Sequence, residues 1–209
     1  MSLSETPRDD VTVVHARTLR PPAEAAPQSE AKPTPLVPLA SDAGVRPNAR
    51  FMRGHAAHWI AFGFGSGLSP IAPGTAGTLW AWLAWLVLTQ WLSTPAEQGW
   101  LIAFGLAAAW WSSTVTARHL RIADPSAIVV DEVIAFWIVL WLVLPAGFWA
   151  QLAAFLLFRF FDAVKRGPEG WADRLLHGTT GWRAGLGIVL DDLVAAFCTL
   201  LAIALWRAW

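Results

Sequence analysis

Long apolar runs, separated by short polar joints, dominate the chain from residue 54 to its end. Each run is close to the roughly 20 residues that an α-helix needs to cross the hydrocarbon core of a membrane. In lipid, every backbone N–H and C=O group needs a partner within its own segment, so helices are the expected structure. The pattern predicts an all-α, multi-pass helical membrane domain with about five spans, at 78–93, 99–117, 127–144, 148–164 and 186–206.

The first 53 residues form a different kind of segment. They contain no Trp, are rich in Pro and Ala, and show no sustained hydrophobic period. Such a segment buries too little apolar surface to offset the entropy of ordering it. Its start also lacks the basic and apolar stretches of a secretory signal. The sequence therefore predicts a disordered tail over 1–53, followed by a membrane-embedded domain over 54–209.

Positive charge is unevenly distributed between the joints. If the N-terminus lies inside the cell, the internal segments 118–126 and 165–185 hold several Lys and Arg, whereas the external turns 94–98 and 145–147 hold none. This asymmetry obeys the positive-inside rule. The same topology places the acidic residues of the third, fourth and fifth spans near the cytoplasmic face, beside the polar loop 65–78 that leads into the first span. Such convergence suits a site that acts on a lipid headgroup.

Composition supports a membrane setting and excludes some functions. The charged share is 14%, against roughly 25% in soluble domains, and all fifteen Trp lie from Trp59 onward. The net charge of zero gives no basic field for binding nucleic acid. The lone Cys198 can form no internal disulfide, and its apolar surroundings indicate a small core side chain.

Five carboxylates lie inside or at the edges of the apolar runs, where a charge is expensive. They are Asp131, Glu132, Asp162, Asp191 and Asp192. Adjacent residues on a helix diverge by about 100°, so each acidic pair can flank one cavity. Hard divalent cations such as Mg²⁺ take oxygen ligands from carboxylates. The placement favours a metal or proton site over carboxylates that are paired only with Arg.

Two polar joints carry the signals of helix starts. Asp124 and Pro125 predict an N-cap and a first helical position, which places the first acidic pair in the second turn. The Gly-rich stretch 63–70, followed by Pro73–Thr78, predicts a loop that opens a helix and approaches an anion closely. Thr75 would cap that helix or bind an oxygen. A re-entrant loop or tight helix packing is the alternative interpretation.

Basic residues near the end of the fourth span share one helix face with Asp162. Arg159, Lys165 and Arg166 follow this spacing. Arg can hold a phosphate through two parallel hydrogen bonds, and Lys adds a point charge. The alternative is that these side chains extend to the interface, with Asp162 as a local partner. His177, in the following internal segment, is a candidate site member or a structural histidine.

These strings jointly resemble the phosphatidylglycerophosphatase A family of membrane lipid phosphatases. The matching strings are Gly63–Pro70, Pro73–Thr75, Asp131–Glu132, Phe158–Asp162 and Gly187–Asp192, in the family's order. The resemblance implies an all-helical enzyme of the bacterial inner membrane, with its active site facing the cytoplasm. Its implied activity is Mg²⁺-dependent hydrolysis of phosphatidylglycerophosphate, an anionic phospholipid, to phosphatidylglycerol and phosphate in phospholipid biosynthesis. Departures include Lys165–Pro168 and the insertion Thr179–Gly185.

The residues receive roles on this basis. Asp131, Asp191 and Asp192 are expected to be metal ligands, and Glu132 or Asp162 to orient or deprotonate the attacking water. The expected substrate-binding residues are Gly74, Thr75, Arg159, Lys165 and His177. A covalent phosphoaspartate stays open as a second mechanism. A cation or proton transporter that uses the intramembrane carboxylates is the alternative function.

Overall fold

The fold is entirely helical in the part of the chain that the structure describes. A computed structural model describes residues 45–122, 125–143, 146–165 and 182–209, and no strand occurs among them. A 3₁₀ helix spans Gly63–Leu68. The α-helices are α1 (Ala49–Met52), α2 (Ala56–Ala61), α3 (Pro73–Leu88), α4 (Pro95–Leu120), α5 (Val130–Val143), α6 (Phe148–Lys165) and α7 (Trp182–Ala208). The predicted all-α class is confirmed.

Ordered structure begins before residue 54. The Asn48 side chain caps α1 by accepting a hydrogen bond from the Phe51 N–H, and Met52 is buried. The Val45 N–H donates to the Leu120 carbonyl at the end of α4. The last residues of the predicted tail, 45–53, therefore belong to the folded part. Residues 1–44 lie outside the described residues.

One predicted helix start is wrong, and one of the two roles left open for Thr75 does not hold. Helix α3 begins after Ala72, which adopts a left-handed conformation and makes no side-chain cap, so Thr75 lies inside the first turn rather than at the cap. Helix α5 begins at Val130, not at Pro125. The reason is that the preceding segment runs along α2, where the Val129 N–H donates to the Ala61 carbonyl. The first acidic pair consequently lies in the first turn of α5.

Two helices are long and apolar enough to cross a membrane. Among the described residues these are Pro95–Leu120 and Gly185–Ala208. Helices α3 and α5 have 16 and 14 residues, which at 1.5 Å per residue is only about 24 and 21 Å. The predicted count of five spans is therefore not confirmed. Many large apolar side chains are exposed on the helix surfaces, as expected for a membrane protein.

Helix α5 lies at the centre and packs against α3, α4, α6 and α7. Gly77 of α3 contacts Val129, and the Trp137 indole donates to the Ala81 carbonyl, so α3 runs parallel to α5. Gly99 and Gly105 contact Trp141 and Ile134, so α4 runs antiparallel to α5.

Contacts of α6 and α7 complete the arrangement. Arg159 reaches Thr78 while Gln151 reaches Trp82, so α6 is antiparallel to α3. Gly185 lies against Thr114, near the end of α4. Helices α3, α5 and α7 therefore begin at the same end of the bundle at which α4 and α6 finish. We call this end the site end.

Two histidines join the N-terminal helices to the site end of α4. His58 Nδ1 lies 2.9 Å from the Phe51 carbonyl oxygen, and His58 Nε2 lies 2.9 Å from His119 Nδ1. A carbonyl oxygen only accepts, so His58 Nδ1 carries the hydrogen and the neutral ring accepts at Nε2. His119 must then donate from Nδ1. The geometry is satisfied by two neutral rings.

This pair predicts a loss of stability at mildly acidic pH. Burial lowers the pKa of His58, opposed by its hydrogen bond to Phe51 and assisted by His119 and His55. The unfolded chain then binds a proton before the folded chain does, so stability is lost as pH falls through the ordinary histidine pKa of about 6.5. Thermal unfolding of the detergent-solubilised protein between pH 8 and 5 should show the wild-type midpoint falling more steeply than that of His58→Asn. Parallel pH profiles of the two proteins would contradict it.

Candidate active site

Three buried carboxylates meet at the site end. Asp131 and Glu132 come from the first turn of α5, and Asp192 comes from α7. One oxygen of each lies within 4.8 Å of the others, and all three side chains are buried. We call these three residues the carboxylate trio. Asp191 is half-buried and does not belong to it.

The trio has the ligand chemistry of a hard-cation site. Like charges at such short distances repel one another strongly in a region of low dielectric constant. Carboxylate oxygens from several residues are the ligands that Mg²⁺ and Ca²⁺ take in proteins. The donor set therefore fits the Mg²⁺ that the sequence predicts.

Arg159 approaches the trio from α6. Its Nη1 donates to Asp162 Oδ2 over 2.5 Å and lies 3.4 Å from Thr78 Oγ1. Asp162 is buried, and Arg159 is largely so, so the guanidinium lies between helices rather than extending to the interface. The sequence left open that Asp162 is a local partner of Arg159. The structure contains this ion pair.

Gly74, in the first turn of α3, lies against the side chains of Arg159 and Glu132. A Cβ atom built on Gly74 would lie 3.1 and 3.2 Å from the two terminal nitrogens of Arg159, and would collide with Glu132 Oε1. The absence of a side chain therefore lets the first turn of α3 approach both groups closely. Thr75, in the same turn, is half-buried.

The other glycines of this region serve packing. Gly63 and Gly65 have positive φ angles of 51° and 106° within the 3₁₀ helix. Gly67 lies against the Ala127 carbonyl, and Gly77 against the Val129 side chain. Of these glycines, Gly74 is the one that faces the site. The Gly-rich stretch 63–70 therefore agrees with the alternative interpretation, in which its glycines allow neighbouring segments to pack closely.

Sequence reasoning missed Thr78. Its side chain is fully buried, donates to the Gly74 carbonyl over 2.8 Å, and faces the Arg159 guanidinium. It links the first turn of α3 to the Arg159–Asp162 pair. Its position could have indicated this role, because Thr78 lies four residues after Gly74 and therefore on the same face of the helix.

Two predicted substrate-binding side chains lie outside the described residues. Lys165 is the last residue of α6, but its side chain lies outside the described part of the structure, as does all of His177. Of the other predicted residues, the structure brings six together at the site end: Gly74, Asp131, Glu132, Arg159, Asp162 and Asp192.

Comparison with known proteins gives one consistent family. The family model described as phosphatidylglycerophosphatase A matches residues 59–207. Phosphatidylglycerophosphatase A of Escherichia coli K12 is 39% identical over 66% of this chain and 76% of its own length, and that of Haemophilus influenzae is 33% identical over 73% and 89%. A putative phosphatidylinositol-3-phosphatase of Bacteroides thetaiotaomicron is 37% identical over 71% and 91%. No solved structure matches the chain.

Proposed function

The chain belongs to the phosphatidylglycerophosphatase A family, and from this membership and the geometry of the site end we propose that it hydrolyses phosphatidylglycerophosphate to phosphatidylglycerol and phosphate. The observation that carries the proposal is the buried carboxylate trio beside the inward-pointing Arg159. This pairing offers both a cation site and a phosphate-binding guanidinium. The names of these relatives share one reaction class, removal of a phosphate from a phospholipid headgroup.

We propose that Asp131 and Asp192 hold Mg²⁺, with Glu132 adjoining them. Bound there, the ion would neutralise charge on the phosphoryl oxygens. Asp191 lies outside the trio, and we assign it a smaller contribution.

Side chains of the protein bind the phosphoryl group and position one another. Arg159 holds the phosphoryl group by donating to its oxygens and stabilises the charge that develops on them. Asp162 and Thr78 position the guanidinium, because both lie against its Nη1. Asp162 is thereby assigned to orientation, which leaves Glu132 as the base.

The proposed hydrolysis balances with a single base. Glu132 accepts a proton from water as the water oxygen bonds to phosphorus. The bond between phosphorus and the glycerol oxygen breaks, and the proton passes from Glu132 to that departing oxygen. The products are phosphatidylglycerol and inorganic phosphate.

We propose that the site end faces the cytoplasm in the bacterial inner membrane and that α3 to α7 all enter the bilayer. The charge at the helix ends supports this orientation, and exposed indoles support the entry of the helices into the bilayer. The site end carries basic residues in the sequence, Arg118, Arg121, Lys165 and Arg183, as the positive-inside rule requires. The opposite end carries exposed indoles, which favour a membrane interface, at Trp91, Trp100, Trp149 and Trp206.

Phosphate release by the purified protein tests the proposed function. Phosphatidylglycerophosphate in mixed micelles should be hydrolysed with added Mg²⁺, and a chelator should abolish the activity. Absence of phosphate release under all metal conditions would overturn the proposal. The transporter alternative is not favoured by the family, and it would instead predict cation or proton flux into proteoliposomes without phosphate release.

Gly74→Ala should lower activity without unfolding the protein. Alanine normally stabilises a helix relative to glycine. Here the new methyl group would push Glu132 and Arg159 apart. Displacing catalytic groups by about 1 Å costs roughly 10²-fold in rate, so kcat/KM should fall by about ten- to 100-fold.

Gly99→Ala is the matched control for this substitution. It adds the same methyl group to a helix near the opposite end of the bundle, 3.1 Å from the edge of Trp141. Its kcat/KM should stay near the wild-type value, and both variants should remain folded by circular dichroism. Wild-type activity in Gly74→Ala would show that close approach of α3 is unnecessary.

A further inference from the structure

Three histidines cluster at the site end, and none of them belongs to the carboxylate trio. His55 caps α2, His58 lies in the first turn of α2, and His119 lies in the last turn of α4. The centroids of their rings lie 5.1 Å apart for His58 and His119, 5.4 Å for His55 and His58, and 5.6 Å for His55 and His119. Three imidazoles on one tetrahedral ion have ring centres about 5 Å apart, since each bond from Zn²⁺ to nitrogen is about 2 Å long. The rings therefore have the spacing of a three-histidine metal site.

Two ring nitrogens of this cluster already face each other. His58 Nε2 lies 2.9 Å from His119 Nδ1. Two nitrogens on one tetrahedral Zn²⁺ are about 3.3 Å apart, so a tilt of a few tenths of an ångström makes room for an ion in place of the shared hydrogen. That hydrogen moves from Nδ1 to Nε2 of His119, whose ring is exposed, and both rings stay neutral.

His58 is held in the orientation of a metal ligand. Its Nδ1 donates to the Phe51 carbonyl over 2.9 Å, which leaves the lone pair at Nε2. A histidine that binds a metal usually donates its other N–H to a carbonyl or carboxylate, which fixes the tautomer and the ring. The Phe51 ring also stacks on the buried His58 ring at 4.1 Å. Packing and hydrogen bonding therefore prepare Nε2 for a ligand.

His55 is the third candidate ligand. Its Nδ1 accepts from the Ala57 N–H, so Nε2 is its open nitrogen. Within the described residues, only the carboxylate trio already holds three ligand atoms within 4.8 Å of one another. His55 must therefore change its side-chain rotamer to complete the site, and its exposed position permits this. Water fills the remaining position, as in other three-histidine zinc sites.

We propose that His58 and His119, completed by His55, bind a transition-metal ion such as Zn²⁺ at a second site, separate from the carboxylate trio. Imidazole nitrogen suits Zn²⁺, Cu²⁺ and Ni²⁺, whereas Mg²⁺ takes oxygen ligands, so the two sites select different ions. The ion fastens α2 to the end of α4, where the Val45 N–H already donates to the Leu120 carbonyl. This site does not depend on the proposed function.

Zn²⁺ binding to the untagged, detergent-solubilised protein tests the proposal. Titration calorimetry in excess Mg²⁺, which competes for the trio, should give one Zn²⁺ per chain. His119→Asn should weaken the affinity at least about tenfold, because losing a group that only orients a metal ligand already costs ten- to 100-fold. Asparagine keeps an N–H donor for the buried His58 ring. His15→Asn, the same change in the N-terminal segment, is the matched control and should leave the affinity within twofold.

Variants of the two sites should behave oppositely. Asp192→Asn alters the trio and should keep the wild-type Zn²⁺ affinity within twofold. With Cu²⁺ in place of Zn²⁺, pulsed electron paramagnetic resonance should detect imidazole nitrogens in the wild type and in Asp192→Asn. The double variant His58→Asn/His119→Asn should lose that signal. Zn²⁺ should also raise the thermal unfolding midpoint of the wild type and of Asp192→Asn, but not that of His119→Asn.

Three results would each overturn the second site. The first is a wild-type protein that binds no Zn²⁺ in excess Mg²⁺. The second is an equal loss of affinity in His15→Asn and His119→Asn. The third is a loss of Zn²⁺ binding in Asp192→Asn while His119→Asn keeps it, which would place the ion in the trio.

Discussion

Asp131→Asn and Asp192→Asn are each expected to lower phosphate release by at least about 100-fold. Both side chains are buried in the trio, and each substitution removes one negative charge from the proposed cation site. Metal ions contribute several kcal/mol of charge stabilisation in such reactions, and each 1.36 kcal/mol is a factor of ten in rate. Initial rates across a Mg²⁺ titration measure both the maximal rate and the metal requirement.

Asp191→Asn is the matched control. It makes the same chemical change one residue away on α7, at a half-buried position outside the trio. Its activity should fall less than tenfold, and its Mg²⁺ requirement should stay close to wild type. Direct binding of Mn²⁺, measured by electron paramagnetic resonance, should weaken in Asp131→Asn and Asp192→Asn. If Asp191→Asn loses as much activity and metal affinity as Asp192→Asn, the assignment of ligands within α7 is wrong.

The sequence identified the acidic residues because their cost in an apolar helix is large. It could not choose between Asp191 and Asp192. The two differ by about 100° around the helix axis, so the rotation of α7 decides which one points inward. That rotation depends on close contacts such as Gly185 against Thr114, which no hydrophobic period encodes.

Helix boundaries were predicted less well than helix order. The apolar runs and the basic joints were sufficient to give the order of α3 to α7 and their alternating directions, whereas α1, α2 and the 3₁₀ helix were not predicted. The start of α5 was missed because Pro125 resembles a first helical residue, whereas the chain instead runs along α2 until Val129. The start of α5 therefore depends on a tertiary contact, because the Ala61 carbonyl that accepts from Val129 lies 68 positions earlier in the sequence. Similarly, Thr78 gains its importance only because Arg159 reaches it from α6.

Arg159→Ala is expected to lower kcat/KM by about 10²- to 10³-fold. Loss of one donor to a developing negative charge typically has this effect. Arg159→Lys should recover only part of the activity, because an ammonium group retains the charge but not the planar pair of donors. Steady-state kinetics with phosphatidylglycerophosphate measure both. Wild-type kcat/KM in Arg159→Lys would show that charge alone is sufficient at this position.

The Arg159–Asp162 pair provides a test of the role given to Asp162. If Asp162 acts by positioning Arg159 through their 2.5 Å hydrogen bond, its removal should matter only while the guanidinium is present. We expect Asp162→Asn to lower kcat/KM about 10- to 100-fold in the wild-type background and to have little further effect in Arg159→Ala. A base acting directly on water would instead give multiplicative losses in the double variant.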